Sequence, residues 1–286
     1  MTIDIHNTPY RVSGPDQGYP MVLINAFPVD HRMWDRCGRE IVRMSEERGM
    51  DPFAVWAPDM PGSGDSPVPD DHDTGNMADD GSYPDALDNL TDAYARLVSD
   101  AGFSGAIWVG LSMGGYVAAD MQRRHPDMVE GLALCDTRVG VDPPRARQGR
   151  LDCASLALSR HDVSPVRHFA EPKEGDSTVK RSQDFIVPFS EWIAEQTPEG
   201  IAWRQRMAAG RDDLTDQLGS VTAPAAIVVG DRDPSSSVDS MRSMAAAMTS
   251  TSCAFTVVED CGHFSAFEHP RTVAGALVDL AERVNG

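Results

Sequence analysis

The chain alternates between short unbroken apolar runs and longer stretches in which apolar residues return every three or four positions. Residues 21–24 and 53–57 are runs of the first kind, as strands buried on both faces of a parallel sheet require. Each ends in a loop, Asn25-Ala26-Phe27-Pro28 after the first and Asp59-Met60-Pro61-Gly62-Ser63-Gly64-Asp65-Ser66 after the second. Between them, residues 39–48 carry Ile41, Val42 and Met44 at helical spacing and Gly49 stops the repeat, so the pattern predicts a strand, helix and strand unit. Leu87, Leu90, Tyr94, Leu97 and Val98 mark a second helix, closed by Gly102. Residues 106–109 read as the next strand, and the helical segment after it must stop at His125-Pro126, because proline pushes its predecessor out of the helical region. Residues 131–135, 225–229 and 254–258 read as further strands. The expected fold class is α/β, a mostly parallel twisted sheet with helices on both faces.

Roughly 85 residues separate the strand ending at Cys135 from the one starting at Ala225, far more than a connection needs, so this stretch should carry structure of its own. It reads as an inserted helical cap over residues 137–222, on a core domain made of residues 1–136 and 223–286. The insertion is near neutral, with 12 Lys plus Arg against 13 Asp plus Glu, while the whole chain carries a formal net charge of -19. That charge repels phosphate backbones and anionic membrane surfaces, so no nucleic acid or membrane partner is expected. The opening residues lack a basic start followed by an apolar core, and no apolar run approaches the roughly 18 residues of a membrane span. A soluble, cytoplasmic protein is expected. The five cysteines show no C-x-x-C or metal-ligand spacing and are read as reduced thiols. The acidic stretch 70–83 is read as a solvated loop, with a divalent-cation site as the sharper alternative, although its spacing fits no calcium loop. His125, in a basic turn, is read as a solvated surface residue.

The strand at 106–109 runs into Val109-Gly110-Leu111-Ser112-Met113-Gly114-Gly115 and then into a helix. A serine hydroxyl is a poor nucleophile at neutral pH. It must stand on a sharp turn, next to a base, with backbone amides facing the developing oxyanion, and a serine between strand and helix meets the first requirement. Glycine at 110 and 114 removes side chains that would crowd a strained serine backbone. A small-residue turn where a helix packs on a strand leaves the same trace. Two further loops supply the missing groups: Gly230-Asp231-Arg232-Asp233-Pro234 follows the strand at 225–229, and Gly262-His263 follows the strand at 254–258. Both should lie on the sheet edge that carries Ser112. In this chain order, Ser, Asp, His, the imidazole takes the serine proton and returns it to the leaving group, while the aspartate fixes the tautomer. His269, beside Pro270, rivals His263 as base, and Asp231 rivals Asp233.

With these motifs in place, the sequence resembles the α/β-hydrolase family over nearly its whole length. They are Gly110-Leu111-Ser112-Met113-Gly114-Gly115, the loop from Asp59 to Ser66, Gly230-Asp231-Arg232-Asp233, and Gly262-His263 with Glu268-His269-Pro270. The resemblance implies the α/β-hydrolase fold, Ser112 as nucleophile, Asp233 as the acid that ends the G-x-x-D motif, and His263 as base. It also implies an oxyanion hole made by the N–H groups of Phe27 and Met113. Asn25-Ala26 departs from the commoner His-Gly pair, and the Ala26 methyl narrows the room beside the oxyanion. The run from Asn25 to Asp35, with Val29-Asp30-His31-Arg32-Met33-Trp34-Asp35, resembles the 3-oxoadipate enol-lactonase group, although general esterases, aminoacrylate hydrolases and cofactor-free haloperoxidases carry similar stretches. The implied activity is a serine hydrolase cleaving a small carboxylic ester or lactone through an acyl-serine intermediate, with no metal or organic cofactor. The alternatives are a non-catalytic small-molecule-binding protein of the same fold and a cofactor-free haloperoxidase or perhydrolase. Serine at 112 sets the chain apart from the haloalkane dehalogenase and epoxide hydrolase branches, which carry aspartate there.

The insertion holds Phe169, Phe185, Phe189, Trp192 and Trp203, either as pocket lining over Ser112 or as the packing of the insertion itself. Arg138, Arg145, Arg147 and Arg150 stand where a pocket wall would start, either binding a substrate carboxylate or serving as surface charges. Arg138 and Trp192 are the candidate substrate-binding residues.

Overall fold

The computed structural model describes residues 3–286. Seven strands, β1 (Asn7–Arg11), β2 (Met21–Ile24), β3 (Val55–Pro58), β4 (Ala106–Leu111), β5 (Val129–Cys135), β6 (Ala225–Gly230) and β7 (Cys253–Val258), form one sheet in the order β1-β3-β2-β4-β5-β6-β7. Only β1 runs antiparallel. β2, β3, β4 and β6 are buried at every position, as their unbroken apolar runs require, whereas the edge strand β7 is only partly covered, with Ala254 and Val257 exposed. β1, with the sequence NTPYR, has no apolar alternation and escapes the sequence reading.

The helices are α1 (Asp35–Glu47), α2 (Asp71–Thr74), α3 (Ala86–Asp100), α4 (Met113–Arg124), α5 (Pro144–Arg160), α6 (Gln183–Ala194), α7 (Pro198–Gly210), α8 (Val238–Ala247), α9 (Ser265–Glu268) and α10 (Pro270–Asn285). From β2 the chain passes through α1 to β3 on one side, then through α3 to β4 on the other. Right-handed crossovers in opposite directions place α1 and α3 on opposite faces of the sheet, where α1 packs against α10 and α3 against α4. The reversal leaves β2 and β4 as neighbours, with Ile24 beside Gly110 in register. Such a reversal opens a crevice beyond the carboxyl ends of the strands. α4, central on its face, is buried at ten of its twelve positions, so nearly all its circumference must be apolar or small.

Two surface readings change. The acidic stretch is not wholly loop: residues Asp71–Thr74 form one helical turn, capped by the Asp70 carboxylate, which accepts from Asp73 N–H at 2.9 Å. Asp70, His72 and Asp73 bring possible ligand atoms within 4.8 Å of one another, on exposed surface. His125 is not free in solvent either, because its Nε2 meets Asp92 Oδ1 at 2.8 Å in a cluster with Arg124 and Asp88. Among the described residues no helix is long and apolar enough to cross a membrane.

Candidate active site

The strand ends that gather the site are fixed by register: Leu111 pairs with Cys135, Cys135 with Val228, and Gly230 with Val258. Whatever follows each strand therefore emerges along one edge. Ser112 follows β4 directly, with φ +54° and ψ -110°, a conformation that non-glycine residues adopt at a cost of about 1–3 kcal/mol. Its carbonyl accepts from Thr137 Oγ1 at 2.6 Å and its N–H donates to the Cys135 carbonyl at 2.9 Å, so neighbouring strand ends hold the strained turn.

The glycines around it do a different job from the one expected. A Cβ on Gly110 would lie 2.2 Å from the Gly114 carbonyl oxygen, and one on Gly114 would lie 2.3 Å from the Ile24 carbonyl oxygen. They permit the close approach of α4 to β4 and β2 and do not chiefly relieve the serine itself. Since both obstructions are backbone, Gly110→Ala is expected to destabilise the fold by about 3 kcal/mol, seen as a lower urea midpoint. An unshifted midpoint would show that the strand and helix can part without cost.

His263, after β7, points its Nε2 at Ser112 Oγ, 2.8 Å away, and its Nδ1 at both oxygens of Asp233, at 2.9 and 3.0 Å. Burial works against a charged ring, but the Asp233 carboxylate, through its charge and hydrogen bond, outweighs it and holds the His263 pKa above the ordinary imidazole value. Asp231 is turned elsewhere and accepts the Cys261 N–H at 3.1 Å, capping the turn. His269 meets the Asp260 carbonyl at 3.1 Å and takes no part. A histidine on a carboxylate is not in itself distinctive here, since His31 Nδ1 also meets Asp59 at 2.8 Å. What sets His263 apart is the serine on its other nitrogen.

A cavity of about 470 Å³ opens over this group, with Phe27, Ser112, Met113 and His263 on its floor. Met113 begins α4, so its N–H has no carbonyl one turn back to bond within the helix. The Phe27 loop is braced from two sides: Asn25 Nδ2 donates to the Val29 carbonyl at 2.7 Å, and Asn25 Oδ1 accepts from Met60 N–H at 3.0 Å. Arg204 of α7, fully buried, donates to the carbonyls of Pro28 and Val29 at 3.3 Å and of Gly62 at 3.2 Å, and to Gln196 Oε1 at 2.8 Å. Desolvation lowers its pKa to about 10.

The segment between β5 and β6 supplies the opposite wall. Arg138 lines the cavity and donates to the Ser235 carbonyl. Arg150 also lines it, but its guanidinium is held by Asp142 at 2.5 Å, Gln205 at 3.1 Å and the Tyr116 hydroxyl at 3.0 Å. Burial opposes the Asp142 charge, yet Arg211 and Arg150 together hold that carboxyl well below the usual range. Arg147 pairs with Asp80 at 2.5 Å and Arg145 is exposed, so neither reaches the cavity. The structure does not bring Trp192 there: it packs among Phe189 and Phe267 with the Arg32 guanidinium on its face. Phe185 and Phe189 are buried in the same aromatic cluster, and Trp203 is buried with its N–H on Thr74 Oγ1. Of the five aromatic residues, Phe169 is the one that lines the cavity, edge-on to Phe27.

Sequence reasoning missed Asp136. It follows β5 directly at φ +44°, is fully buried on the cavity wall and accepts Gly230 N–H at 2.9 Å with Oδ1. Burial and the charge of Asp233 push its pKa well above the carboxylate range. A short polar residue directly after a buried strand was the available signal.

The alpha/beta hydrolase family profile matches residues 21–276. The chain belongs to the alpha/beta hydrolase family. This alpha/beta hydrolase is similar to a thermophilic esterase from Thermogutta terrifontis, solved with malate bound, at 28% identity and a TM-score of 0.79, covering 99% of this chain and 95% of that one. The enol-lactonase from Burkholderia xenovorans LB400 shares the fold, with a TM-score of 0.72 at 22% identity over 96% of this chain and 95% of the other. Monoacylglycerol lipase abhd6-A from Xenopus laevis is 24% identical over 191 residues, 60% of this chain and 53% of the lipase. The chain spans about half the length of the curated relatives it matches.

Proposed function

We propose that this alpha/beta hydrolase is a serine hydrolase that cleaves a small carboxylic ester or lactone, with Ser112 as nucleophile, His263 as general base and acid, and Asp233 as the carboxylate that orients the imidazole. The observation that carries the reading is the unbroken chain of contacts from Ser112 Oγ to His263 to Asp233, at 2.8 and 2.9 Å. His263 accepts the serine proton as Oγ attacks the acyl carbon, and the N–H groups of Phe27 and Met113 receive the charge that develops on the carbonyl oxygen. Collapse of the tetrahedral intermediate leaves an acyl-Ser112 ester, which water, deprotonated by the same imidazole, then hydrolyses. Residues 137–222 act in this reading as a cap that walls the acyl cavity, on a core made of residues 1–136 and 223–286. The esterase and enol-lactonase likenesses agree with this substrate class.

Rapid mixing with p-nitrophenyl acetate tests the acyl-enzyme. A burst of about one nitrophenol per chain, followed by slower steady release, is expected where deacylation limits turnover. A protein that merely binds small molecules in this cavity would release none above the uncatalysed rate, and that result would sink the reading.

A further inference from the structure

A second cavity, of about 340 Å³, lies against the first and shares with it His168, Phe169, Ser235 and His263, but none of Ser112, Met113 and Phe27. His263 therefore lines both chambers. In acyl transfer the imidazole that takes the serine proton hands it to the departing oxygen, so the departing group lies on the imidazole side of the nucleophile. On the serine-hydrolase reading, on which this inference rests, the first chamber holds the acyl part and the second holds the alcohol part.

The wall of the second chamber carries an ammonium group. Lys180 Nζ donates to the Phe169 carbonyl and lies 4.0 Å from the centre of the Phe185 ring and 5.5 Å from that of Phe264. Among the described residues Lys180 forms no ion pair with a carboxylate. Burial lowers its pKa to about 8, and the more distant charges of Glu268 and Asp176 offset this only in part. Both are already engaged: Glu268 accepts from Ser177 Oγ at 2.5 Å, Gly262 N–H at 2.8 Å and Phe264 N–H at 3.1 Å, and Asp176 accepts from Lys173 N–H at 2.7 Å. Glu171, Lys173 and Asp176 also line this wall: Glu171 and Lys173 are exposed and of opposite sign, so water screens them, and Asp176 is half-buried on the Lys173 N–H. A partly desolvated cation with one neutral acceptor, facing a cavity, is a site that an anion would complete.

We propose that the second chamber is the alcohol subsite for an open-chain ester whose leaving group bears a carboxylate, and that this carboxylate pairs with Lys180. The bond from Ser112 Oγ to the acyl carbon forms and the ester C–O bond breaks. The proton held by His263 passes to the departing oxygen, and the hydroxy acid leaves through the second chamber. Water then releases the acyl group as a carboxylic acid and restores Ser112. A lactone keeps its alcohol oxygen tethered to the acyl chain, so it sends no separate fragment into a second chamber.

The test compares phenyl acetate with 4-acetoxybenzoate on the wild type, Lys180→Gln and Lys180→Arg, with calorimetric binding of the product 4-hydroxybenzoate measured alongside. In Lys180→Gln the loss of kcat/KM on 4-acetoxybenzoate should exceed the loss on phenyl acetate by about tenfold, chiefly through KM, with a similar weakening of 4-hydroxybenzoate binding. Lys180→Arg should recover most of the difference. Equal losses on the two esters, or no loss on either, would overturn the subsite. If the wild type turns over neither ester, the serine-hydrolase reading fails separately. The binding measurement then still decides the anion site, which falls if the wild type does not bind 4-hydroxybenzoate or if Lys180→Gln binds it equally well.

Discussion

Ser112→Ala is expected to lower kcat/KM on p-nitrophenyl acetate by about 10⁴-fold or more and to abolish labelling by a fluorophosphonate, with little change in stability. The size of the loss follows from the contacts. The hydroxyl's one hydrogen-bonding partner among the described side chains is His263 Nε2, so removing it deletes the atom proposed to attack and leaves the carboxylate, the imidazole and the backbone amides standing. Alanine tolerates φ +54° no better than serine, and the turn is held by the Thr137 and Cys135 contacts to the Ser112 backbone, which the substitution keeps. Loss of activity with an unchanged melting curve therefore separates chemistry from folding. A variant that keeps its esterase rate within about tenfold of the wild type would mean that another nucleophile does the work.

The parts of this molecule that could be read from sequence are those in which local pattern and tertiary role coincide. β2, β4 and β6 sit in the middle of the sheet, so their burial is continuous and their apolar runs are unbroken. The loops bearing Ser112 and Asp233 follow such strands, the loop bearing His263 follows the half-covered edge strand β7, and parallel pairing then brings all three to one edge. The charged residues of the interior were not readable in this way. Arg204, Asp142, Arg211 and Asp136 are buried by packing between segments far apart in the chain, and a sequence pattern places any lone charge on the surface. Arg150 shows the limit well: its neighbours in sequence give no sign that Asp142, Gln205 and Tyr116 will surround it. Lys180 follows the same logic, since the aromatic rings that desolvate it come from residues five and 84 positions further along. Most of the aromatic residues of the 137–222 stretch fill the packing, and of the five Phe169 faces the cavity.

Asp233 and Asp136 lie near the imidazole and Asp231 is turned away from it, so on the proposed mechanism the three carry unequal weight. Asp233→Asn is expected to cost about 10³- to 10⁴-fold in kcat, because an amide cannot hold the Nδ1–H tautomer by charge or stabilise the imidazolium that forms as Ser112 attacks. The pH profile carries the same information with a definite sign. On the proposed mechanism the base works as the neutral ring, so the rate should rise with pH through the His263 pKa, which Asp233 holds above its ordinary value. In Asp233→Asn that rising limb should move to lower pH while its plateau falls. Asp231→Asn should change kcat by no more than a few-fold, because an amide oxygen can still accept the Cys261 N–H. Asp136 is the informative control. Its carboxyl is pushed toward the neutral form, so Asn at that position imitates the acid that is already there and should cost far less than the change at 233. If Asp136→Asn proves as damaging as Asp233→Asn, or if the rising limb in Asp233→Asn stays where the wild type has it, then the carboxylate that governs His263 is not the one in contact with its Nδ1.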